Sequence, residues 1–396
     1  MTITVTGRIK IPQGLITVGP AAAPAPPPSP SGELWAWGRN NSGYLGLGDT
    51  FNRSSPVQIG ILTDWTKVDS GDFHTHAIKT DGSLWSWGRG LDGAHGLGNT
   101  TDYSSPVQVG ILTNWADVAA ADVGRHSLAI KTDGTLWAWG AGGGGIHNGE
   151  IGDGTTIKRS SPVQIGALTD WASIGIGSFH SMAIKTNGSL WAWGKNDYGN
   201  LGLGNTTYYS SPVQVGSLTD WASVSGGNQH TIALKTDGTM WSWGSNFSGR
   251  LGLGDGGAGT ERSSPVQIGS LTTWSQVSSG SSTGNAIKTD GTIWSWGGNF
   301  NGSLGLGDGG AGTDRSSPVQ IGALTNWASV STGGGHSNVL KTDGALWAFG
   351  YNGFGALGDG FGTGNNRSSP VQIGSLTTWI SINSGRRQSF AIKTTV

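Results

Sequence analysis

Short apolar runs, about five residues long, alternate with clusters of glycine, aspartate and asparagine along most of the chain. In residues 220–269 these runs are W-A-S-V-S, T-I-A-L-K, T-M-W-S-W and P-V-Q-I. Runs of β-branched and aromatic residues bounded by turn residues predict strands. The T-D-G between the second and third runs is typical of a tight hairpin. Pro265 opens the fourth run and cannot donate to a strand ladder, which places that strand at an edge.

The same four runs recur seven times, at intervals of about 52 residues and without helical periodicity, which predicts an all-β, seven-bladed β-propeller with four-stranded blades. The repeat region opens with a third strand, Leu34 to Gly38, and closes with a second strand, Phe390 to Thr394. We therefore predict that one blade is shared between N- and C-terminal strands and closes the ring. The W-x-W-G motif, W-A-F-G in its last copy, marks the repeats at Trp35, Trp85, Trp137, Trp191, Trp241, Trp294 and Trp347.

Three segments are predicted from the pattern. Residues 1–19 alternate Ile3, Val5, Ile9 and Ile11 on one side, like a lone strand, and are interpreted as an anchor. Residues 20–32 are rich in proline and alanine and favour an extended spacer of roughly 30 Å. Residues 33–396 form the propeller. The first residues contain no apolar run of signal-peptide or membrane-span length, so neither a signal peptide nor membrane insertion is expected.

Composition narrows the classes of function. The chain has 72 Gly and 20 Trp, only 12% charged residues and a net charge of -1. A near-neutral chain has no long-range field to attract polyphosphates, which argues against nucleic acid as a partner. The absence of cysteine from the sequence excludes disulfides, thiolate metal sites and cysteine nucleophiles. The repeat landmarks account for every tryptophan, so we interpret the tryptophans as packing residues.

Several repeated polar residues are candidates for chemistry. Five histidines share one repeat position, where Thr283 and Gln388 fill the other two copies, and this pattern favours a structural hydrogen-bonding role over a metal site. His95 and His147 lie outside the pattern and are expected to be solvated. The five repeated histidines are His74, His126, His180, His230 and His336.

Glycine-rich loops at Asp255, Asp308 and Asp359 have the carboxylates of calcium loops, but Asn99 and Asn205 take the same place, which favours a simple Asx turn. A lysine before each hairpin turn is expected to decorate one face and to aid solubility. Neither a catalytic triad nor a phosphate loop stands out from the repeat. We therefore predict that the protein is not an enzyme and needs no metal or cofactor.

The pattern G-x-x-H-S-x-A-[IL]-K-T-[DN]-G-x-L-W-x-W-G-x-N-x-x-G-x-L-G-L-G, as in Gly177 to Gly204, resembles the regulator of chromosome condensation repeat family over residues 33–394. The resemblance implies the propeller fold, in a bacterial or phage-type member. Members of that family include nucleotide-exchange factors for a small GTPase, chromatin binders and bacterial β-lactamase inhibitor proteins. None of the exchange-factor or inhibitor residues maps onto a position here, and function does not transfer with the fold.

The copies differ mainly in the loops between first and second strands and in the long loops after the third strands, which should share one face. Loops on a rigid scaffold are where recognition usually occurs, and Tyr, Phe and Arg are good anchors. A protein or a cell-surface glycan is the expected partner at this variable face. Candidate residues are Tyr44, Asp72, Phe73, Leu91, Arg125, Phe179, Tyr198, Asn228, Gln229, Phe247, Arg250, Phe300, Tyr351, Phe354, Arg386 and Arg387.

Two classes of function fit these observations. The first is a non-enzymatic bacteriophage virion protein, a tail fibre, adhesin or capsid decoration protein, joined to other virion or assembly proteins through residues 1–19 and exposed at the virion or extracellular surface. The alternative is a regulatory protein-binding propeller, either an inhibitor or a module like a GTPase exchange factor. The anchor and spacer favour the first class, whereas the variable face fits both.

Overall fold

The computed structural model describes residues 31–144 and 147–395. These residues form seven four-stranded antiparallel sheets, which confirms the predicted propeller. The predicted anchor and most of the predicted spacer lie outside the described residues.

Each blade runs from a first, innermost strand to a fourth, outermost strand. We number the blades along the chain, starting from the one that contains both chain ends. From blade 2 to blade 7 and then blade 1, the first strands are Trp65–Ser70, Trp115–Ala120, Trp171–Ile176, Trp221–Gly226, Trp274–Ser279, Trp327–Thr332 and Trp379–Ser384. The second strands are His74–Lys79, His126–Lys131, His180–Lys185, His230–Lys235, Thr283–Lys288, His336–Lys341 and Gln388–Lys393.

In blade order from 1 to 7, the third strands are Glu33–Gly38, Leu84–Gly88, Leu136–Gly140, Leu190–Gly194, Met240–Gly244, Ile293–Gly297 and Leu346–Gly350. The fourth strands are Arg53–Gln58, Tyr103–Gln108, Arg159–Gln164, Tyr209–Gln214, Arg262–Gln267, Arg315–Gln320 and Arg367–Gln372. Short 3-10 turns lie at Leu91–Gly93, Phe247–Gly249, Phe300–Gly302 and Gly353–Gly355, and a two-stranded ribbon pairs Gly143–Gly144 with His147–Asn148. The proline-containing fourth strand is outermost, as predicted.

Blade 1 closes the ring. Its third strand pairs with the last strand of the chain, with Trp35 opposite Ala391 and Gly38 opposite Gln388. The seven first strands contact one another in sequence around the axis, and the contact between Trp379–Ser384 and Trp65–Ser70 completes the circle. Since every sheet then packs between two others, the ring has no open end, as the phase of the repeats predicted.

The core lies between the blades. The second tryptophan of each W-x-W-G is fully buried, and its Nε1 donates to a carbonyl in the long loop of the preceding blade, as from Trp243 to Asn200 at 3.0 Å. Gly202 lies beneath this ring with a φ of +75°, and a Cβ there would come within 2.8 Å of the indole nitrogen. The glycine-rich loops are therefore shaped to cover the tryptophan of the next blade.

The repeated lysines contradict the prediction that they decorate one face. Lys235 is only 7% exposed, and its Nζ lies 5.1 Å and 4.4 Å from the ring centroids of Trp221 and Trp241. The same nitrogen is 3.3 Å from Asp220. An ammonium held between two indole faces makes cation–π contacts, and its aliphatic stem packs against the rings. Blades 2 to 7 repeat this arrangement, so these lysines belong to the packing of the blades.

The repeated histidines connect neighbouring blades. The Nε2 of His180 is 3.0 Å from Thr231 Oγ1, and that hydroxyl donates to the carbonyl of Asn200 at 2.9 Å. Because the hydroxyl proton is used in this way, the imidazole must donate through Nε2. Burial lowers the pKa of His180 to about 3, so the ring is neutral. Equivalent contacts at His74, His126 and His336 confirm the predicted structural hydrogen-bonding role at four of the five positions. At His230 neither ring nitrogen has a hydrogen-bond partner within the described residues.

Two non-repeat histidines were expected to be solvated. That expectation is wrong for His95, which is fully buried with Nε2 2.7 Å from the carbonyl of Thr101. The side chain of His147 lies outside the described residues.

In the calcium-like loops the aspartate pairs with an arginine of the same blade. Asp255 accepts a charge-assisted hydrogen bond from Arg262 at 2.5 Å, and the equivalent aspartates of blades 1, 3, 6 and 7 pair with arginines in the same way. Where the aspartate is replaced, the amide of Asn205 donates to the hydroxyl of Tyr209, and Asn99 does the same to Tyr103. The two alternatives are thus matched pairs, which supports the structural interpretation of these loops.

Candidate functional site

The loops between first and second strands and the long loops after third strands share one face, as predicted. The backbone N–H of Arg39, at the start of a long loop, donates to the carbonyl of Arg387 in the preceding hairpin loop at 3.0 Å. Arg89 and Phe73 make the equivalent contact at 2.7 Å in blade 2. We call this surface the loop face.

Five arginines and three aromatic residues form a continuous cluster over blades 1, 2, 3 and 7. The Arg39 guanidinium lies 5.4 Å from the Tyr44 ring centroid and 5.5 Å from that of Phe354. The rings of Tyr44 and Phe73 meet edge to face at 6.1 Å. At one end of the cluster the Arg387 guanidinium lies 5.8 Å from the Phe354 ring centroid. At the other end the guanidinium groups of Arg89 and Arg125 each lie 5.7 Å from the Phe73 ring centroid. We call these residues, together with Arg386 beside them, the arginine–aromatic ladder.

Buried carboxylates hold the ladder in place. Asp72 is 2% exposed and lies 3.6 Å from Arg39 and 3.3 Å from Arg386. Burial raises the pKa of Asp72, although Arg386, Arg387 and Arg39 oppose this effect. Since their guanidinium groups surround a buried carboxylate, these arginines are fixed in position before any partner binds.

A second carboxylate supports the far end. Asp92, in a 3-10 turn, accepts from Arg125 at 3.1 Å and from Lys158 at 2.5 Å. Burial raises the pKa of Asp92, but the hydrogen bonds from Lys158 and Arg125 outweigh it, and the pKa is lowered overall. The backbone of Asp92 has a φ of +62°, in the left-handed region that few residues other than glycine adopt. The turn therefore fixes the direction in which this side chain leaves the backbone.

Cations outnumber carboxylates at this site. The ladder and its flank contain Arg39, Arg89, Arg125, Lys158, Arg386 and Arg387, against Asp72, Asp92 and Asp122. Burial raises the pKa of Asp122 to about 6, while Arg386 opposes this rise and Asp72 adds to it. The chain is nearly neutral overall, yet one side of the loop face carries a local positive field.

The ladder and its support contain seven of the residues proposed from sequence: Tyr44, Asp72, Phe73, Arg125, Phe354, Arg386 and Arg387. Tyr44 is itself 2% exposed and contributes as a buried ring between Arg39 and Phe73. Leu91 lies in the same turn as Asp92 and is partly buried. The cluster therefore contains about half of the predicted candidates.

The other candidates lie elsewhere on the loop face. Arg250 is 8% exposed and donates to the carbonyls of Phe247 and Ser281, so it supports its own loop. Phe179 lies 5.4 Å from the Lys195 ammonium. Tyr198, Phe247 and Phe300 are exposed, and Asn228, Gln229 and Tyr351 are partly exposed.

Sequence reasoning missed Arg39, Arg89, Asp92, Asp122 and Lys158. A signal for the first two was present, because the residue after W-x-W-G is arginine only in blades 1 and 2 and is Ala, Lys, Ser, Gly or Tyr in the others. Comparing the copies position by position would have found this pair of adjacent arginines.

The channel through the ring is polar and uneven. On one side Lys67 pairs with Asp117, and burial raises the pKa of Asp69 to about 6. On the other side serine hydroxyls accept backbone N–H groups from the neighbouring first strand, as Ser225 does from Ser279 at 2.9 Å. The described residues bring together no group of three or more His, Asp or Glu side chains that could hold a metal ion. The channel polar groups bond mainly to one another and so stabilise the ring.

Comparison with known proteins identifies the family of this chain. The family model described as the regulator of chromosome condensation (RCC1) repeat matches residues 31–78, 81–130, 133–184, 187–234, 237–287, 290–340 and 343–392. The chain belongs to this repeat family. The resemblance predicted from sequence is thereby confirmed, whereas none of the matches described below supports a bacterial or phage-type origin.

Among curated RCC1-repeat relatives, the chain is similar to the ultraviolet-B receptor UVR8 of Arabidopsis thaliana, with 31% identity over 349 residues that cover 85% of this chain and 65% of the receptor. It is also similar to the probable E3 ubiquitin-protein ligase HERC6 of Homo sapiens, with 33% identity over 241 residues that cover 58% of this chain and 18% of the ligase. The chain thus spans less than two thirds of the length of these relatives. So small a share of the ligase transfers no ligase activity.

Solved structures show the same fold. Prp20p from Saccharomyces cerevisiae, described with its binding properties to Gsp1p and histones, superposes with a TM-score of 0.80 at 20% identity and covers 93% of this chain and 92% of its own. Human WBSCR16 gives a TM-score of 0.77 at 18% identity, over 92% of this chain and 99% of its own. Identity at this level supports the fold alone. In the described part of the chain, none of the helices has the length and apolar character to cross a bilayer.

Proposed function

We propose that this protein is a regulatory protein-binding propeller, and that its arginine–aromatic ladder binds an acidic segment of a partner protein. The ladder carries the proposal because it combines cations in excess with flat apolar rings. Arginine and aromatic residues are the side chains enriched at binding hot spots. A carboxylate-bearing partner would pair with the guanidinium groups in bidentate geometry, while its apolar groups pack on Phe73 and Phe354.

Prior organisation of the site also supports binding. Asp72 holds the guanidinium groups of Arg39 and Arg386, and Asp92 holds that of Arg125. The aromatic rings pack against these groups. Less side-chain entropy is therefore lost on association than for freely moving surface residues. The excess of cations would speed the encounter with an acidic partner and make it sensitive to salt.

The alternative class, a bacteriophage virion protein that presents the propeller to a protein or glycan, depends on residues 1–19 and the spacer. None of the relatives described above is a virion protein. Prp20p is described with protein partners, Gsp1p and histones, and UVR8 is a receptor. These comparisons favour the regulatory class for this chain.

Site-specific photo-crosslinking tests the proposal. A benzoylphenylalanine replaces Phe73 in the ladder, and a matched chain carries it at Phe300, which is 72% exposed on the same face but outside the ladder. After irradiation in the source cells, we expect a discrete protein adduct from position 73. Adding Arg89→Gln and Arg387→Gln to the position 73 chain should remove the adduct without lowering its melting temperature.

Two results would contradict the proposal. The first is an adduct from position 300 with none from position 73. The second is a position 73 adduct that survives both arginine substitutions. Mass spectrometry of the adduct identifies the partner and shows whether its cross-linked segment is acidic.

A further inference from the structure

The face opposite the loop face carries an aliphatic patch that breaks the repeat. Each link from a fourth strand to the next first strand has the pattern G-x-L-T. The variable residue x is Ala or Ser in the links that lead into blades 4, 5, 6 and 7 and in the last link, which leads back into blade 1. In the first two links that residue is Ile61 or Ile111, which are 89% and 91% exposed. Leu62 and Leu112 follow at 45% and 46% exposure. We call these four residues the aliphatic patch.

The two isoleucines of the patch have no role in packing the blades. Side chains about nine-tenths exposed contribute little to the core, and five other links manage with Ala or Ser at the same place. Single exposed apolar residues need no explanation, but isoleucines at the same place in two neighbouring links, on a face that otherwise barely varies, indicate a covered surface.

The chain enters the propeller beside this patch. In blades 2 to 7 a T-[DN]-G turn joins the second and third strands, and its glycine carbonyl accepts from the first tryptophan of the next blade, as Gly82 does from Trp115 at 3.1 Å. In blade 1 the chain ends replace that turn, and Gly32 accepts from Trp65 at 3.2 Å. The described chain therefore begins, at residue 31, next to the link that carries Ile61 and Leu62.

Residues 1–30 match the patch in polarity and charge. Ile3, Val5, Ile9 and Ile11 alternate along the first part, which predicts an apolar side. Arg8 and Lys10 are the only charged side chains in residues 1–30.

The rim of the patch has the opposite charge. Asp64 is about 40% exposed, and Asp81 and Asp133 are exposed in the neighbouring turns. Lys79 and Lys131 are buried between tryptophans, and the Lys79 ammonium lies 3.6 Å from Asp64 and offsets its charge. The exposed carboxylates of Asp81 and Asp133 carry the negative charge of the rim. The rim is thus acidic, while the segment that emerges beside it is basic.

We propose that residues 1–19 dock on the aliphatic patch of their own propeller, with the isoleucines on the patch and with Arg8 and Lys10 toward its acidic rim. Packed sheets lie about 10 Å apart, so a spacer of roughly 30 Å spans the blades concerned. The docked segment would cover the face opposite the partner site, so this contact is separate from the proposed function.

Disulfide trapping tests the docking directly, because the chain has no cysteine of its own. Val5→Cys is combined with Thr113→Cys beside the patch or, as a matched control, with Thr325→Cys. Both threonines are exposed in an identical L-T-N-W link, but Thr325 follows Ala323 in the link between blades 6 and 7, on the other side of the point where the chain enters. Under mild oxidation we expect an intrachain disulfide to Thr113→Cys at least tenfold faster than to Thr325→Cys. A second set of chains carries Ile9→Cys in place of Val5→Cys, so that docking is also detected if Ile9 rather than Val5 lies beside Thr113.

A second measurement uses full-length chains with the residues that other copies already carry. Ile61→Ser with Ile111→Ala should raise hydrogen exchange in residues 59–64 and 109–114, leave the equivalent link at 322–326 unchanged, and reduce the Thr113→Cys trapping rate to that of the control. The proposal would be overturned if Val5→Cys and Ile9→Cys each formed disulfides equally fast with Thr113→Cys and with Thr325→Cys. Unchanged hydrogen exchange in residues 59–64 and 109–114 would overturn it as well. Disulfides formed only between two chains would also overturn it and would assign the patch to a second copy.

Discussion

Acid should unfold this propeller through its buried histidines. Burial lowers the pKa of His74 and His180 to about 3 and that of His336 to about 4, and it holds the pKa of His76 and His230 well below 6.5. Each ring is neutral when folded, whereas the unfolded chain binds a proton below pH 6.5. The unfolded state therefore takes up more protons between pH 6.5 and about 3, so stability falls as the pH falls through that window.

The size of the effect follows from the shifts. At pH 5 each such histidine favours the unfolded chain by about 2 kcal/mol, since one pKa unit corresponds to about 1.4 kcal/mol. Five of them together approach the whole stability of a typical domain, about 5–15 kcal/mol. Asp69 and Asp122 act in the opposite direction, because their pKa is raised to about 6 and protonation relieves their burial. Two carboxyls do not offset five imidazoles, and the net change is a loss.

Urea unfolding followed by tryptophan fluorescence at pH 7.5, 6.5, 5.5 and 5.0 measures this loss. The matched variant is His180→Gln, because Gln388 occupies the same repeat position and donates to the carbonyl of Gly71 in the next blade at 2.6 Å. The variant should lose stability less steeply, by about 1.4 kcal/mol per pH unit, because one fewer site takes up a proton. Equal stability at pH 7.5 and 5.0, or the same slope in both proteins, would refute the reasoning.

Three further predictions concern stability. Lys235→Met should lower the free energy of unfolding by about 1–2 kcal/mol in a urea titration, because it removes a desolvated cation–π contact, and Lys235→Arg should retain most of it. Removing residues 381–396 deletes the second strand of blade 1 and most of its first strand, so calorimetry should show no cooperative transition; an unchanged melting curve would exclude ring closure as the source of cooperativity. Asn205→Asp with Tyr209→Arg, which installs the pair of blade 5, should be more stable than the two single losses predict, by a coupling of about 0.5–3 kcal/mol; strictly additive losses would contradict the matched-pair interpretation.

The sequence was sufficient for the architecture because each strand and turn depends on local signals repeated seven times. Pro265 identified the outer edge, and the unpaired strands at both ends identified the closing blade. The burial of the lysines was not predictable in the same way. Their place between two indoles depends on the distance between a first and a third strand, which only the assembled sheet defines. His95 was misjudged for a similar reason, since its long loop folds over it.

The candidate site was only partly accessible from sequence, because neighbours around a ring are distant along the chain. Arg39 and Phe354 are separated by more than three hundred residues and meet because blades 1 and 7 are adjacent. Charge alone gave no hint, since the chain is almost neutral overall. The local excess of cations exists only after folding collects arginines from three blades on one side of the loop face.

Some differences between the repeat copies are matched by a second change in the residue that they contact, and others are not. This distinction separates structural differences from candidate functional ones. Asn205 differs from the usual aspartate, but Tyr209 differs with it, and the two side chains bond to each other. Such matched changes preserve the fold and carry no information about a partner. The exposed Ile111 differs without any partner change within the described residues, and Phe73 and Arg89 pack mainly on other divergent residues. Uncompensated divergence therefore marks the isoleucines of the aliphatic patch. The ladder differs from a matched structural pair in another way, because its residues diverge together and its cations outnumber the carboxylates that hold them. These two surfaces are the places where selection for binding can act without cost to the ring.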